Sequence, residues 1–325
     1  MSRRGALIAA GAGLAVAGAA AALDTRRRLR ALAEAPDPYT DEELGPLRGE
    51  QGFVDTHDGG RLYFVDAGQG PTVVLAHGYT ATSQFWCLTQ PDLVARGHRV
   101  VAYDERGHGH SDAGRAGFGV ELLGRDLATV LTELDLTDVV VAGHSMGGVA
   151  VQSLLVDHPD VAKERVRHAV ICCSLARSRR GARLLTRLLG RERVHKANPP
   201  DALGDLLALQ IFGRGTPPAS LVRLARRLGD SQDPAHMAAL ARTLGRFDLR
   251  PGLRDVPVDV TVVAAGRDKI TPPVLSHELA TAMAGCEERW FPQAGHMLPW
   301  EHPLEFTDIL AGAASAPGPE TTPEP

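Results

Sequence analysis

Asp138-Val139-Val140-Val141-Ala142-Gly143-His144-Ser145-Met146-Gly147-Gly148 is the stretch that decides the fold. Asp138 to Ala142 is short and dominated by valine, the pattern of a strand buried on both faces of a parallel sheet. A helical pattern runs from Met146 to Val156. Between the two the chain must reverse sharply, and the flanking glycines keep Cβ atoms out of the turn. Such a G-x-S-x-G turn lifts the Ser145 hydroxyl above the sheet, at the positive end of a helix. The pentapeptide alone is a weak signal; a strand before it and a helix after it make it a strong one.

Similar apolar runs recur on both sides, at Thr72 to Ala76, Arg99 to Tyr103, Ala169 to Cys173 and Val258 to Ala264. Helical patterns at Val120 to Leu134 and about Pro273 to Met283 lie between them. Phe53 to Thr56 and Arg61 to Asp66 flank His57-Asp58-Gly59-Gly60 and read as a hairpin. Strand alternating with helix predicts a mainly parallel α/β sheet led by that antiparallel hairpin. One segment breaks the alternation. From about Ala176 to Phe247 there is no strand pattern, only Arg- and Leu-rich amphipathic stretches such as Ala182 to Leu189, Ala202 to Ile211 and Leu221 to Leu228. The expectation is a helical cap inserted between two strands.

A serine hydroxyl is a poor nucleophile without a base, and the base needs an orienting carboxylate. On this kind of scaffold the chain order is Ser, then Asp or Glu, then His. Asp268 lies in Ala264-Ala265-Gly266-Arg267-Asp268-Lys269, directly after the strand pattern Val258 to Ala264. His296 follows the short pattern Glu288 to Phe291, in Gly295-His296-Met297. Both therefore fall on the sheet edge that carries Ser145.

With these residues in place, the stretch from about Phe53 to Leu310 resembles the α/β-hydrolase superfamily. The matching patterns are His77-Gly78, Asp104-Glu105-Arg106-Gly107-His108-Gly109-His110-Ser111, Gly-Arg-Asp-Lys-Ile-Thr-Pro (266 to 272) and Ala-Gly-His (294 to 296). The resemblance implies an eight-stranded sheet with helices on both faces and Ser145, His296 and Asp268 as catalytic triad. It also implies an oxyanion hole made by the backbone N–H groups of Tyr79 and Met146. Epoxide hydrolases and haloalkane dehalogenases on this fold place Asp where Ser145 stands, so neither fits. Of the neighbouring residues, Tyr79, Phe85, Trp86 and Trp300 are candidates to line an acyl pocket, with ordinary core packing the alternative. His77 is expected to brace the oxyanion loop, His144 to be a packing or hydrogen-bonding neighbour, and Asp104 and Arg106 to hold their own loop.

The activity implied is cleavage of a carboxylic ester, on a small, hydrophobic acyl substrate, without a cofactor. Perhydrolase- or lyase-type use of the triad and a non-catalytic binding protein are the alternatives. His108 and His110 are two apart with no third ligand in view, so no metal site is expected. The net charge of -4 over 325 residues gives no basic footprint for nucleic acid. The four cysteines, Cys87, Cys172, Cys173 and Cys286, show neither C-x-x-C spacing nor a paired framework.

The two ends differ from the rest. Gly5 to Leu23 is uncharged, with Arg3 and Arg4 before it and Arg26, Arg27, Arg28 and Arg30 after it. Residues 1 to 30 are therefore expected to be a membrane anchor or an export signal. Localisation at the cell membrane or export follows, with the side of the membrane left open. Pro- and acid-rich residues 31 to 52 read as a linker ahead of a domain at 53 to 313. Residues 314 to 325 read as a disordered tail.

Overall fold

The computed structural model describes residues 25–178, 187–196, 201–213 and 215–315. Eight strands form one sheet: β1 (Glu50–Asp55), β2 (Arg61–Ala67), β3 (Thr72–Ala76), β4 (Arg99–Tyr103), β5 (Val139–His144), β6 (Val166–Cys172), β7 (Asp259–Ala265) and β8 (Glu287–Phe291). Their spatial order is β1-β2-β4-β3-β5-β6-β7-β8. β1 pairs with β2, and β2 with β4, antiparallel; every later pair is parallel. This is the hairpin-led, mainly parallel sheet that the apolar runs predict.

The valine-rich strands alternate strictly between two cores. Val73, Leu75, Val140, Ala142 and Val170 face one side, where Trp86, Leu93 and Phe306 pack on them. That layer includes α1 (Thr89–Ala95) and the C-terminal helix. Val74, Ala76, Val139, Val141 and Ile171 face the other side. There they meet α2 (Val120–Glu133), α3 (Met146–Asp157), α4 (Pro159–Arg165) and α8 (Pro273–Ala282). Burial on both faces is why these strands read as continuous apolar runs rather than as alternating ones.

Between β6 and β7 lie α5 (Asp201–Ala208), α6 (Ala219–Asp230), α7 (Pro234–Leu244) and a single turn at Glu192–His195. The insertion is closed at its base by an antiparallel bridge between Arg177 and Asp248, with Ser178 N–H bonded to Phe247 O and Leu249 N–H to Ala176 O. Most of the expected stretch Ala182 to Leu189 lies outside the described residues. Met237 and Leu240 of α7 pack on Met146 and Ala150 of α3, so the insertion covers the start of the helix that follows Ser145.

The residues read as a linker are packed onto the domain. Leu32, Leu44 and Leu47 are buried in the first core, and Leu44 O accepts from Gln84 Nε2 at 2.7 Å. The Asp37 carboxylate accepts from the backbone N–H and hydroxyl of Ser220 on α6. Three leucines thus override a Pro- and acid-rich composition, and β1 begins at Glu50. At the other end α9 (Pro303–Ser315) buries Ala314, and the remainder of the expected tail lies outside the described residues. Gly5 to Leu23 lies outside them too; no helix among the described residues is long and apolar enough to cross a membrane.

Candidate active site

Ser145 sits at φ 55° and ψ -111°, between β5 and α3. Left-handed φ is costly for a residue with a Cβ, and it is retained here by the surrounding contacts. A Cβ on Gly143 would lie 2.2 Å from Gly147 O, and one on Gly147 would lie 2.1 Å from Ala76 O. Only glycine fits either place. The turn is fastened by Ser145 N–H to Cys172 O at 2.9 Å and by the Ser174 hydroxyl to Ser145 O at 2.8 Å.

The hydroxyl of Ser145 lies 3.0 Å from His296 Nε2, and His296 Nδ1 lies 2.7 Å from Asp268 Oδ2. Asp268 and His296 are buried at the ends of β7 and β8, as the chain order predicts. Asp268 accepts four hydrogen bonds in all. Ile270 and Thr271 give their N–H groups to Oδ1, and the Thr271 hydroxyl joins His296 at Oδ2. Burial works to raise the Asp268 carboxyl, but the His296 charge and these hydrogen bonds outweigh it and hold the group below its ordinary value. A carboxylate that stays ionised fixes the imidazole with its proton on Nδ1 and Nε2 free to accept.

Tyr79 and Met146 flank the serine, and neither backbone N–H donates to an acceptor among the described residues. The loop carrying Tyr79 is braced from behind. His77 donates from Nδ1 to Gly78 O at 2.8 Å and accepts Glu105 N–H at Nε2, 2.9 Å away. His108 accepts Thr80 N–H at Nε2, with Thr80 at φ 60°. Burial holds both imidazoles down, His77 to about 4 and His108 to about 3, so both are neutral acceptors at pH 7. Asp104 takes the N–H groups of Ser83 and His110, and Arg106 forks onto Asp126 at 2.5 and 2.7 Å. These two residues hold the loop, as expected of them.

Phe85, Trp86 and Trp300, candidates for an acyl pocket or for ordinary core, pack into the first core. All three are fully buried. Trp86 stacks on Phe306, and the Trp300 indole donates to Phe85 O at 2.7 Å. Phe85 lies flat between Trp300 and His144, with ring centroids 5.0 and 4.6 Å away. All three fill the first core, and Trp300 also borders a cavity that it shares with Phe212 and Leu221 of the insertion. Tyr79 meets the insertion through its polar end, its hydroxyl donating to Met237 O at 2.8 Å and lying 3.2 Å from His195 Nε2.

His144 donates from Nε2 to the backbone oxygen of His296 at 2.7 Å. His144, Cys173 and His296 bring three donor atoms within 4.8 Å of one another. Both nitrogens of His296 already face Ser145 and Asp268, His144 Nε2 carries a proton, and burial pushes the Cys173 thiol well up. The set is hydrogen-bonded rather than poised to ligate. Thr271 and Ser174 are supports that the sequence reading did not single out. Thr271 lay inside a quoted motif, but its role depends on the loop folding back on Asp268.

A family model described as "Alpha/beta hydrolase family" matches residues 73–309. A non-heme chloroperoxidase of Kitasatospora aureofaciens is 41% identical over 93 residues, 29% of this chain and 34% of that protein. Bifunctional epoxide hydrolase 2 of Sus scrofa is 38% identical over 124 residues, 38% of this chain and 22% of that protein. The matches thus span about a third or less of the length of these curated relatives. Among solved structures, an esterase from Exiguobacterium antarcticum is similar at a TM-score of 0.74 and 24% identity, over 83% of this chain and 100% of that one.

Proposed function

This chain belongs to the alpha/beta hydrolase family, and from that premise we propose that it is a serine hydrolase cleaving a carboxylic ester through an acyl-enzyme. The observation that supports this most is the continuous chain from Ser145 Oγ through His296 to Asp268, with the Tyr79 and Met146 N–H groups lacking an acceptor among the described residues. In the proposed reaction His296 Nε2 takes the hydroxyl proton as Ser145 attacks the carbonyl carbon. The developing oxyanion is held by the Tyr79 and Met146 N–H groups, each worth on the order of 10²–10³ in rate. His296 then protonates the departing alcohol, and later activates the water that releases the acid. The apolar residues Met237 and Leu240 that the insertion brings to Met146 and Tyr79 support a hydrophobic acyl group.

The chloroperoxidase relative favours a second reading, in which hydrogen peroxide rather than water takes the acyl group and a peracid leaves. Two measurements separate the readings. Labelling by a fluorophosphonate probe is expected on the parent chain and absent from Ser145→Ala; equal labelling of both sinks the serine reading. Product analysis on p-nitrophenyl esters of varied acyl length, with and without peroxide, shows whether acid or peracid forms. Association with a membrane through Gly5 to Leu23 belongs to the same proposal and is supported by the sequence alone. Intact mass of the purified chain and alkaline extraction of membranes test it.

A further inference from the structure

Glu301 lies on the single turn Leu298–Glu301, shortly after His296, and is spent on two backbone N–H groups. Its Oε1 accepts from Gly295 at 2.9 Å and its Oε2 from Gly213 at 2.8 Å. Gly295 immediately precedes the proposed base. Gly213 belongs to the insertion, just after the helical stretch that ends at Ile211. A third bond runs directly between the two segments, from His296 N–H to Ile211 O at 2.8 Å.

The contact has no slack. A Cβ on Gly295 would lie 2.2 Å from Gly213 N, and one on Gly213 would lie 2.4 Å from Gly295 N. Two backbones in such contact turn their N–H groups toward one place, where an acceptor with two oxygens suits both. A carboxylate meets that need with charge-assisted bonds. An amide of the same shape offers one oxygen and sets its NH₂ against the second N–H.

We propose that Glu301 is a positioning residue that ties the insertion to the histidine loop, so that the placement of Ile211–Gly213 sets where His296 stands relative to Ser145. This rests on the reading of His296 as the base. Burial raises the Glu301 carboxyl above its ordinary value, and the Gly213 and Gly295 N–H groups offset part of that rise. The geometry also explains why the effect should fall on rate. Glu301 touches neither Ser145 nor the N–H groups proposed for the oxyanion, whereas a shift of His296 by a fraction of an ångström weakens the Ser145 contact. Misplacement by about 1 Å costs on the order of 10²-fold in such systems.

A cavity of about 410 Å³ lies against the clamp, lined in part by Tyr39, Phe212, Leu221, Trp300 and Glu301. It offers a direct test. Glu301→Ala should lower kcat on a p-nitrophenyl ester by about 10- to 100-fold with KM changed by less than about threefold. Acetate, entering through the cavity, should restore much of kcat at constant ionic strength, while acetamide should not. Glu301→Gln should lose kcat in the same sense with little change in melting temperature. The proposal is overturned by a Glu301→Gln variant with the parent's kcat. It is overturned equally if acetate fails to raise kcat of the Ala variant, or if acetamide raises it as well. A parent chain that the fluorophosphonate probe does not label would instead sink the hydrolase reading, so the two failures are distinguishable.

Discussion

Two pairs of histidines are buried at the same sheet edge, and only one pair holds a histidine backed by a carboxylate. Behind the Tyr79 loop, His77 and His108 lie with ring centroids 5.1 Å apart; beside Ser145, His144 and His296 lie 4.8 Å apart. His77, His108 and His144 bond only to backbone groups. Burial leaves them neutral, at about 4, about 3 and about 3. His296 alone has a side-chain carboxylate on one nitrogen and a hydroxyl on the other. Burial and residue type are shared; the partner on Nδ1 is what differs. Histidines held only by backbone groups fasten one segment to another, whereas His296 links a carboxylate to a hydroxyl.

The largest test of that contrast removes the carboxylate. Asp268→Asn should lower kcat by about 10⁴-fold by losing the acceptor that fixes the His296 tautomer. A steady-state assay checks it, with the fold followed by circular dichroism. A retained rate would erase the difference between the pairs.

A large effect of the opposite kind is expected at Arg106, which forks onto Asp126 and caps the Ala113 and Gly117 carbonyls beneath the fastener pair. Arg106→Ala leaves the buried Asp126 carboxylate uncompensated and should cost about 3–5 kcal/mol of stability by urea unfolding. The rate per folded molecule should stay near the parent's, since Arg106 reaches none of the reacting groups.

Acid should sharpen the comparison further. In the unfolded chain each histidine takes a proton near pH 6.5, whereas His77, His108 and His144 refuse it in the fold until about pH 4 or 3. Their contribution is therefore complete above about pH 6.5 and is lost as pH falls, because the unfolded state binds the protons. The loss is at most about 1.4 kcal/mol per unit for each group. Asp268, held below its ordinary value, acts in the same direction at lower pH. Urea midpoints should fall from pH 7.5 to pH 5, and His108→Gln should flatten that fall while lowering stability at pH 7.5.

The smallest effect is expected at the aromatic wall behind His144. Trp86→Phe removes volume from a closed core and should cost about 1–3 kcal/mol. It should leave the preference among acyl lengths unchanged, because Trp86 is fully buried and stacks on Phe306 in the first core. A shifted acyl preference would restore Trp86 to the substrate site.

Much of the molecule was legible in the sequence for reasons of period and order. Strands buried on both faces announce themselves as valine runs, so β3 and β4 fall on the residues expected. β5 differs from its pattern by one residue at the start and two at the end. The glycines around Ser145, and the positions of Asp268 and His296 after later strands, are local signals fixed by chain order. Pockets and fasteners are not local. Phe85, Trp86 and Trp300 look alike as loop aromatics, and only the fold shows that Phe85 lies between His144 and Trp300 while Trp86 stacks on Phe306. Leu32, Leu44 and Leu47 are lost in a Pro-rich stretch until a core forms to receive them. The sequence by itself determined the sheet, the sharp turn at Ser145 and the order of its partners, since periodicity and backbone sterics act within a few residues. Only the tertiary structure decided that backbone groups hold His77, His108 and His144 and that Glu301 joins Gly213 to Gly295. Hydrogen bonds between segments far apart in the chain leave no trace in either one alone.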